Sequence, residues 1–238
     1  MSSAFTLMYH SVAEFDPADP TADPFQVTVT PPRFQAQLRA LRKRGLRGVS
    51  MRELLGASPK AARRLVGLTF DDGYADFATE VVPTLSDHGF TATVFVLADR
   101  LGGSNGWESH GPAKPLMTTE QVLSVAAEGM EVASHGLRHV SLPGTDDAGA
   151  AEEISHSRMV LSRLLGENIA GFAYPYGHVE SREVRIVREA GYDYACAIWR
   201  SPVTSRHALP RTYVGQRDGA VRLLAKDVKR RLEVRLPR

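Results

Sequence analysis

The sequence is poor in cysteine, in long apolar runs and in net charge. Its 238 residues contain one cysteine, Cys196, so an internal disulfide is excluded and nothing requires an oxidising compartment. No segment approaches the roughly 18 apolar residues that a transmembrane helix needs. With 29 basic and 27 acidic side chains the formal net charge is only +2, so we expect no nucleic-acid partner.

The two ends of the sequence suggest where the protein works. The opening MSSAFTLMYHSVAEF has neither a basic start nor a long apolar core, so it does not resemble a signal peptide. We therefore expect a cytoplasmic protein, or an exported one if a leader was trimmed. Residues 221–238 contain seven Lys or Arg, with Leu224, Val228 and Leu232 on one helical stripe. This segment predicts a helix that packs on the core, or one that rests peripherally on an anionic membrane, at its inner face.

Strand-like and helix-like segments alternate along the chain. Predicted strands are 4–9, 27–30, 64–70, 92–97, 130–135, 170–175 and 194–199, and predicted helices are 31–45, 51–55, 75–88, 118–129, 147–165 and 181–191. This alternation favours an α/β fold, a distorted (β/α) barrel of about seven parallel strands, over two small domains. We expect one domain over 1–238, with a core at about 65–215, an N-terminal strand and helices in 1–64, and a basic helix at 219–238.

Polar residues follow several of these predicted strands. Asp71 and Asp72 come directly after LVGLTF, His135 ends MEVAS, and Pro175 and Tyr176 end AGFAY. In a parallel barrel the carboxyl ends of the strands meet at one rim, and reactive groups lie there. The pattern therefore predicts one site built from several distant segments.

Two adjacent aspartates are costly to bury unless they share a proton or meet a cation. His135 and His139 are four residues apart and would face one ion if the turn after His135 were helical. One aspartate with two histidines leaves coordination positions open for a catalytic divalent metal. The second aspartate would then take a proton from the attacking water. Alone, Asp71-Asp72-Gly73 is more typical of a surface turn, and SHGLRH of a loop with two unrelated histidines, than of a metal site.

The segments TFDDG, SHGLRH and FAYPYG resemble, in order and spacing, the first three motifs of the polysaccharide deacetylases, carbohydrate esterase family four. The resemblance runs from LMYHSV to ALPRTYV. It is strongest to the variety with an N-terminal Tyr-His pair and a late Leu-Pro-Arg motif. It implies hydrolysis of N-acetyl groups from an amino sugar or glycan. It also implies one divalent metal, zinc first, with cobalt, nickel or manganese as alternatives.

The resemblance also implies a role for each motif residue. Asp71 would be the general base, and the metal ligands would be Asp72, His135 and His139. The Tyr176 backbone N–H would stabilise the oxyanion. The residues expected to contact the substrate are Pro175, Tyr176, Tyr74 and Trp199.

The sequence departs from the family pattern in two places. Ala173 stands where the third motif usually has an arginine that orients the catalytic aspartate, and we assign this role to Arg211 of ALPR. The late Leu-x-His motif that usually supplies the general acid is missing. His10 and His207 are the candidates, and His10 is preferred because it ends a strand. Two rivals stay open: a hydrolase of another non-peptide C–N amide, and an inactive descendant that only binds glycan.

Overall fold

A computed structural model describes residues 5–108, 110–198, 203 and 205–235, with the side chains of 230–235 left out. The strands in these residues are β1 Thr6–Tyr9, β2 Ser11–Val12, β3 Thr28–Val29, β4 Arg47–Val49, β5 Leu65–Phe70, β6 Thr93–Val96, β7 Glu131–Ser134, β8 Gly171–Ala173, β9 Tyr194–Ile198 and β10 Leu209–Tyr213. The α-helices are α1 Pro31–Lys43, α2 Met51–Gly56, α3 Pro59–Ala62, α4 Val82–His88, α5 Thr119–Ala127, α6 Asp147–Leu165, α7 Ser181–Glu189 and α8 Ala220–Arg235.

Seven strands close into a parallel barrel in the order β1, β10, β9, β8, β7, β6, β5, and β5 pairs back to β1. The distortion arises at β5. Its first half pairs with β4, from Leu65 to Gly67, and its last two residues pair with β6. β4 therefore occupies part of an edge that a regular barrel would give to one strand. The predicted distorted (β/α) barrel is confirmed.

Alternate residues along β5 face the two sides of the barrel wall. Val66, Leu68 and Phe70 pack outward in the main core between the strands and the helices. Gly67 and Thr69 face inward, and a Cβ on Gly67 would lie 2.9 Å from Met51 and Leu54, whose helix α2 covers the amino end. By the same two-residue period, the next inward position beyond the strand is Asp71.

Most predicted helices lie within two residues of their expected ends. α5 is the predicted 118–129 helix, begun by a capping box in which Thr118 and Gln121 exchange hydrogen bonds. The predicted 75–88 helix begins instead with a wider π-helical turn, Phe77–Val81, before α4. The short elements β2, β4 and α3 were not predicted, and the barrel strand β10 was not among the predicted strands. The predicted strand at 27–30 is β3, which pairs with β2 outside the barrel. The proposed domain boundaries stay predictions.

Helix α8 packs through a different face from the one expected. Leu223 and Asp227 are buried, and Asp227 accepts a 2.7 Å hydrogen bond from Arg44 after α1. Leu224 and Val228 remain 45% and 46% exposed, so the idea that their stripe packs on the core is wrong. The side chain of Leu232 lies outside the described residues. Within the described chain, no helix combines the length and the apolarity that a membrane crossing requires. Contact with an anionic membrane stays a prediction.

Candidate metal centre and active site

The two adjacent aspartates leave β5 in different directions. The amide of Asp71 still bonds to the carbonyl of Tyr9, which extends the β1–β5 ladder by one residue. Asp72 then adopts a left-handed backbone, with φ of 71°, and Gly73 follows with φ of 72°. A Cβ on Gly73 would lie 3.0 Å from the Val96 side chain, so this sharp turn requires glycine. Because of this turn, the two neighbouring carboxylates point in different directions and contact different residues.

Asp71 forms a two-pronged ion pair with Arg211 of β10. The distances are 2.5 Å from Nη1 to Oδ1 and 2.8 Å from Nη2 to Oδ2, and both side chains are buried. Arg211 also donates to Thr69 Oγ1 at 3.2 Å. Burial alone would raise the pKa of Asp71, but the Arg211 charge lowers it below its ordinary value. Asp71 is therefore ionised at neutral pH, and Arg211 lies in hydrogen-bond contact with it, as the predicted orienting role requires.

Asp72, His135 and His139 form a buried set of metal-binding atoms. Asp72 Oδ1 lies 3.3 Å from Nε2 of each histidine, and the three candidate ligand atoms lie within 4.8 Å of one another. His135 Nδ1 lies 2.9 Å from the Ala173 carbonyl, which requires a proton on Nδ1 and directs Nε2 to the site. Asp72 Oδ1 is buried and has no hydrogen-bond partner within the part of the chain that the structure describes. A divalent cation fits this arrangement of two nitrogens and one carboxylate oxygen.

The electrostatics of the set favour a cation over a proton. Burial would raise the pKa of Asp72, but the His135 and His139 imidazoles, each 3.3 Å from its Oδ1, hold the pKa well below the ordinary value. Burial lowers the pKa of His139, which favours the neutral, ligand form of its ring. For His135, burial lowers the pKa but Asp72 and Asp71 raise it further, so the net direction is upward. Protons therefore compete with a metal at His135 as the pH falls.

The segment between the two histidines is not helical, so the expected helical turn after His135 is wrong. Gly136 and His139 have φ of 87° and 66°, and the chain forms an irregular loop. The two left-handed residues turn the loop back on itself, and this brings the second imidazole to the same oxygen as the first. Three of the four described non-glycine residues with positive φ belong to this site: Asp72, His139 and Tyr176.

Aromatic side chains surround His139. Tyr176 contacts its ring edge-on at a centroid distance of 4.4 Å, and Trp107 stacks on it at 4.6 Å and 25°. Tyr176 is 48% exposed, with φ of 59°, and follows the buried Pro175. His178 stacks on Tyr176 at 6.0 Å. The third motif and the long loop after β6 therefore meet beside the second histidine.

The other predicted residues divide between the two ends of the barrel. Tyr74 is buried at the rim, where burial and then the Asp72 charge raise the pKa of its phenol. Its hydroxyl has no hydrogen-bond partner in the described ranges. His10 directly follows β1 at the rim, and its buried Nδ1 has no hydrogen-bond partner among the described residues. His207 precedes β10, and its Nε2 lies 2.9 Å from the carbonyl of Tyr192, which precedes β9. His207 therefore lies at the amino end, which leaves His10 as the candidate acid. Trp199 lies outside the described residues.

A polar network beside the rim was not predicted. Ser11 donates to Asp76 at 2.6 Å, and Lys114 Nζ lies 3.2 Å from Ser11 Oγ. Burial raises the pKa of Asp76 to about 6. The network connects the loop that carries Trp107 to the segment after β1. No sequence signal joins these residues, since Lys114 is 103 positions from Ser11.

Fold and site together define a parallel (β/α) barrel with a buried Asp-His-His set for one divalent metal at its carboxyl end. Consistent with this class, the polysaccharide deacetylase family model matches residues 58–195, more than half of the chain. The chain belongs to the polysaccharide deacetylase family.

Similar proteins carry related names. The chain is 25% identical over 189 residues to the polysaccharide deacetylase homologue YxkH of Bacillus subtilis (strain 168), covering 78% of this chain and 61% of that protein. It is 22% identical over 235 residues to the poly-beta-1,6-N-acetyl-D-glucosamine N-deacetylase of Staphylococcus epidermidis, covering 90% of this chain and 79% of that protein. The structure of the Streptococcus pyogenes deacetylase PplD in complex with acetate matches with a TM-score of 0.75 at 23% identity, covering 93% and 96% of the two chains. This last likeness shows the fold.

Proposed function

We propose that the protein is a metal-dependent N-deacetylase that hydrolyses the N-acetyl group of an amino sugar or glycan. One observation carries the proposal: an ionised carboxylate, Asp71, lies beside a separate buried ligand set. The pair with Arg211 orients Asp71 without using all of its acceptor sites. A site built only to bind sugar has no need of both a base and a metal set.

The metal would be held by Asp72, His135 and His139, and zinc suits these donors, with cobalt, nickel or manganese as alternatives. When bound, the metal supplies Lewis acidity that polarises the acetyl carbonyl and eases deprotonation of water.

The chain's own residues supply the rest of the reaction. Asp71 takes a proton from the attacking water, whose oxygen adds to the acetyl carbon. The Tyr176 amide donates to the oxygen that becomes negative. His10 gives a proton to the sugar nitrogen as the C–N bond breaks. The products are acetate and a free amino sugar, so atoms and protons balance.

The substrate class is inferred from relatives and from the rim. The Staphylococcus epidermidis relative is named for poly-beta-1,6-N-acetyl-D-glucosamine. Two partly exposed aromatic side chains, Trp107 and Tyr176, flank the metal set, and sugar rings stack on such faces. We therefore expect a glucosamine-based glycan rather than a small non-sugar amide.

Acetate release tests the proposal. Metal-stripped protein is assayed on N-acetylglucosamine oligomers and on non-sugar amides, with and without zinc or cobalt, beside Asp71→Asn. We expect metal-dependent release from the oligomers, lowered at least 100-fold in the variant, as loss of a general base predicts. Glu131→Gln is the control, because it changes a buried carboxylate at the opposite end of the barrel.

Each rival has its own outcome. Release from non-sugar amides alone would identify a hydrolase of another C–N bond. Metal and oligomer binding without any release would identify a descendant that binds glycan. Either result would contradict the proposed reaction.

A further inference from the structure

Glu153 lies in α6, and its buried carboxylate faces the loop between the two histidines. Its Oε2 accepts hydrogen bonds from the backbone amides of Leu137 at 2.8 Å and Arg138 at 3.1 Å. Its Oε1 accepts from Arg138 Nε at 2.7 Å. The side chain is 2% exposed, so its charge depends on these donors rather than on water.

The loop has no secondary structure of its own, so its polar groups need partners elsewhere. The His135 amide bonds to the Val96 carbonyl at 2.8 Å, and the Gly136 and Leu137 carbonyls accept from the Ala98 and Asp99 amides. Glu153 therefore supplies the acceptors for the two amides in the middle of the loop. These amides lie between the two metal ligands in the chain.

A second polar contact between α6 and this loop region lies one helical turn after Glu153. Ser157 Oγ lies 2.8 Å from Ser134 Oγ, which in turn accepts from the Gly136 amide at 3.1 Å. Both polar contacts lie on one face of α6, four residues apart.

Gly136 leaves room for the carboxylate. Its φ is 87°, and a Cβ there would lie 3.2 Å from Glu153 Oε2. The glycine of the SHGLRH segment therefore fits both the backbone turn and the approach of Glu153.

We infer that Glu153 is a positioning residue for the metal centre, holding the His135–His139 loop so that both Nε2 atoms face Asp72. The inference rests on the proposed metal binding. Glutamine at this position keeps one acceptor oxygen but replaces the other with an NH2 donor, so the two loop amides and Arg138 Nε could no longer all be satisfied, and the loop would move. Such movement changes the angle between the two imidazoles.

The test measures metal affinity and ligand geometry rather than turnover. Metal-stripped wild type, Glu153→Gln and Glu131→Gln are titrated with Zn²⁺ against a competing chelator, and their Co²⁺ visible absorption spectra and thermal stabilities are compared. Glu131 is a matched control because it is also buried, accepts several hydrogen bonds, and begins the strand that His135 follows. Ser157→Ala is a milder second variant in case Glu153→Gln does not fold.

We expect Glu153→Gln to weaken Zn²⁺ binding on the order of tenfold or more and to change the Co²⁺ spectrum. Ser157→Ala should weaken it in the same direction and by less. Glu131→Gln should lower the melting temperature and leave affinity and spectrum as in wild type. Arg138→Gln should also preserve both, because Glu153 would keep its two backbone donors.

A purely structural role would appear as lower stability in Glu153→Gln, with Zn²⁺ affinity and the Co²⁺ spectrum unchanged. That result would overturn the inference, and so would unchanged Zn²⁺ affinity in Ser157→Ala if only that variant folds. In either case, Zn²⁺ binding by the wild type would show that the metal site itself is real. Absence of binding in wild type would overturn both the metal site and the inference.

Discussion

Strand β7 has buried polar groups at both ends, and the two ends differ in how many hydrogen-bond partners these groups have. At its amino end, Glu131 accepts from Thr93 Oγ1 at 2.6 Å, from the Tyr194 hydroxyl at 3.0 Å and from the Arg52 amide at 2.8 Å. At its carboxyl end, His135 faces Asp72 Oδ1, a buried atom to which no described residue donates a hydrogen bond. A buried carboxylate whose hydrogen-bond donors are all present stabilises the fold, whereas a buried carboxylate oxygen without a donor indicates a ligand-binding site.

The backbone shows the same contrast. Asp72, His139 and Tyr176 at the carboxyl end are left-handed, a conformation that non-glycine residues adopt at a cost of about 1 kcal/mol or more. The strand residues at the amino end are regular. Local strain is therefore concentrated where the ligand atoms have to be aimed.

The largest expected effect comes from Arg211→Gln, which removes one partner of the ion pair with Asp71. The variant leaves a buried carboxylate without its cation, and we expect a loss of about 3–5 kcal/mol in unfolding free energy. Because the Arg211 charge lowers the pKa of Asp71, that pKa should rise, and the acidic limb of the rate profile should move to higher pH. Urea unfolding and pH–rate profiles measure the two effects.

The same ion pair predicts how the unfolding free energies of wild type and Arg211→Gln change with pH. In the wild type, the lowered pKa of Asp71 contributes stability above its ordinary pKa of 3.8, and this is lost as the pH falls through the lowered value. Arg211→Gln should therefore lose less stability on acidification than wild type. Parallel pH curves for the two proteins would contradict the role of the pair.

An effect of intermediate size is expected for alanine at Gly73. Comparison with Gly45 separates the cost of the left-handed backbone from the cost of steric overlap at the carboxyl end of the barrel. Gly73 and Gly45 have φ of 72° and 69°, but a Cβ meets Val96 at 3.0 Å only at Gly73. Both alanine variants carry the left-handed penalty of about 1–2 kcal/mol, and Gly73→Ala adds about 1–3 kcal/mol of overpacking. Thermal unfolding measures both, and only Gly73→Ala should also weaken metal binding. Equal losses in both would contradict the steric account of this turn.

The smallest expected effect concerns Trp107, whose indole stacks on His139 at 4.6 Å. Its indole is also partly exposed beside the metal set, and a sugar ring stacked on it would contribute about 0.5–1.5 kcal/mol, so Trp107→Ala should raise KM about 2- to 10-fold. Trp107→Phe keeps a ring and should recover most of the loss. A large fall in kcat with unchanged KM would assign Trp107 a different role.

The barrel and the main site residues were predictable because the signals are local. Apolar strands alternating with amphipathic helices predict the parallel barrel, and residues just after strands predict one rim. The positions of Asp71, Asp72 and His135 follow from that rule. Arg211 was assigned from the third-motif departure at Ala173, and it pairs with Asp71 although β1 lies between their strands.

The remaining features depend on tertiary contacts that leave no sequence pattern. The loop to His139 is not helical because Gly136 is left-handed and Glu153, 16 positions from Leu137, holds the loop. The apolar stripe of α8 predicted the wrong packing face because a buried ion pair at Asp227 outweighs it. His207 is four positions from Arg211 in the sequence, but it precedes β10 and lies at the amino end of the barrel.

The most direct measurement is the stoichiometry of Zn²⁺ binding to metal-stripped wild type, Asp72→Asn and Asp76→Asn, by equilibrium dialysis. Asp76 lies four residues further on and outside the ligand set, so it controls for loss of a nearby carboxylate. The account predicts one equivalent in wild type and Asp76→Asn, and loss of tight binding in Asp72→Asn. Equal binding in all three proteins, or none in wild type, would contradict the proposed metal centre.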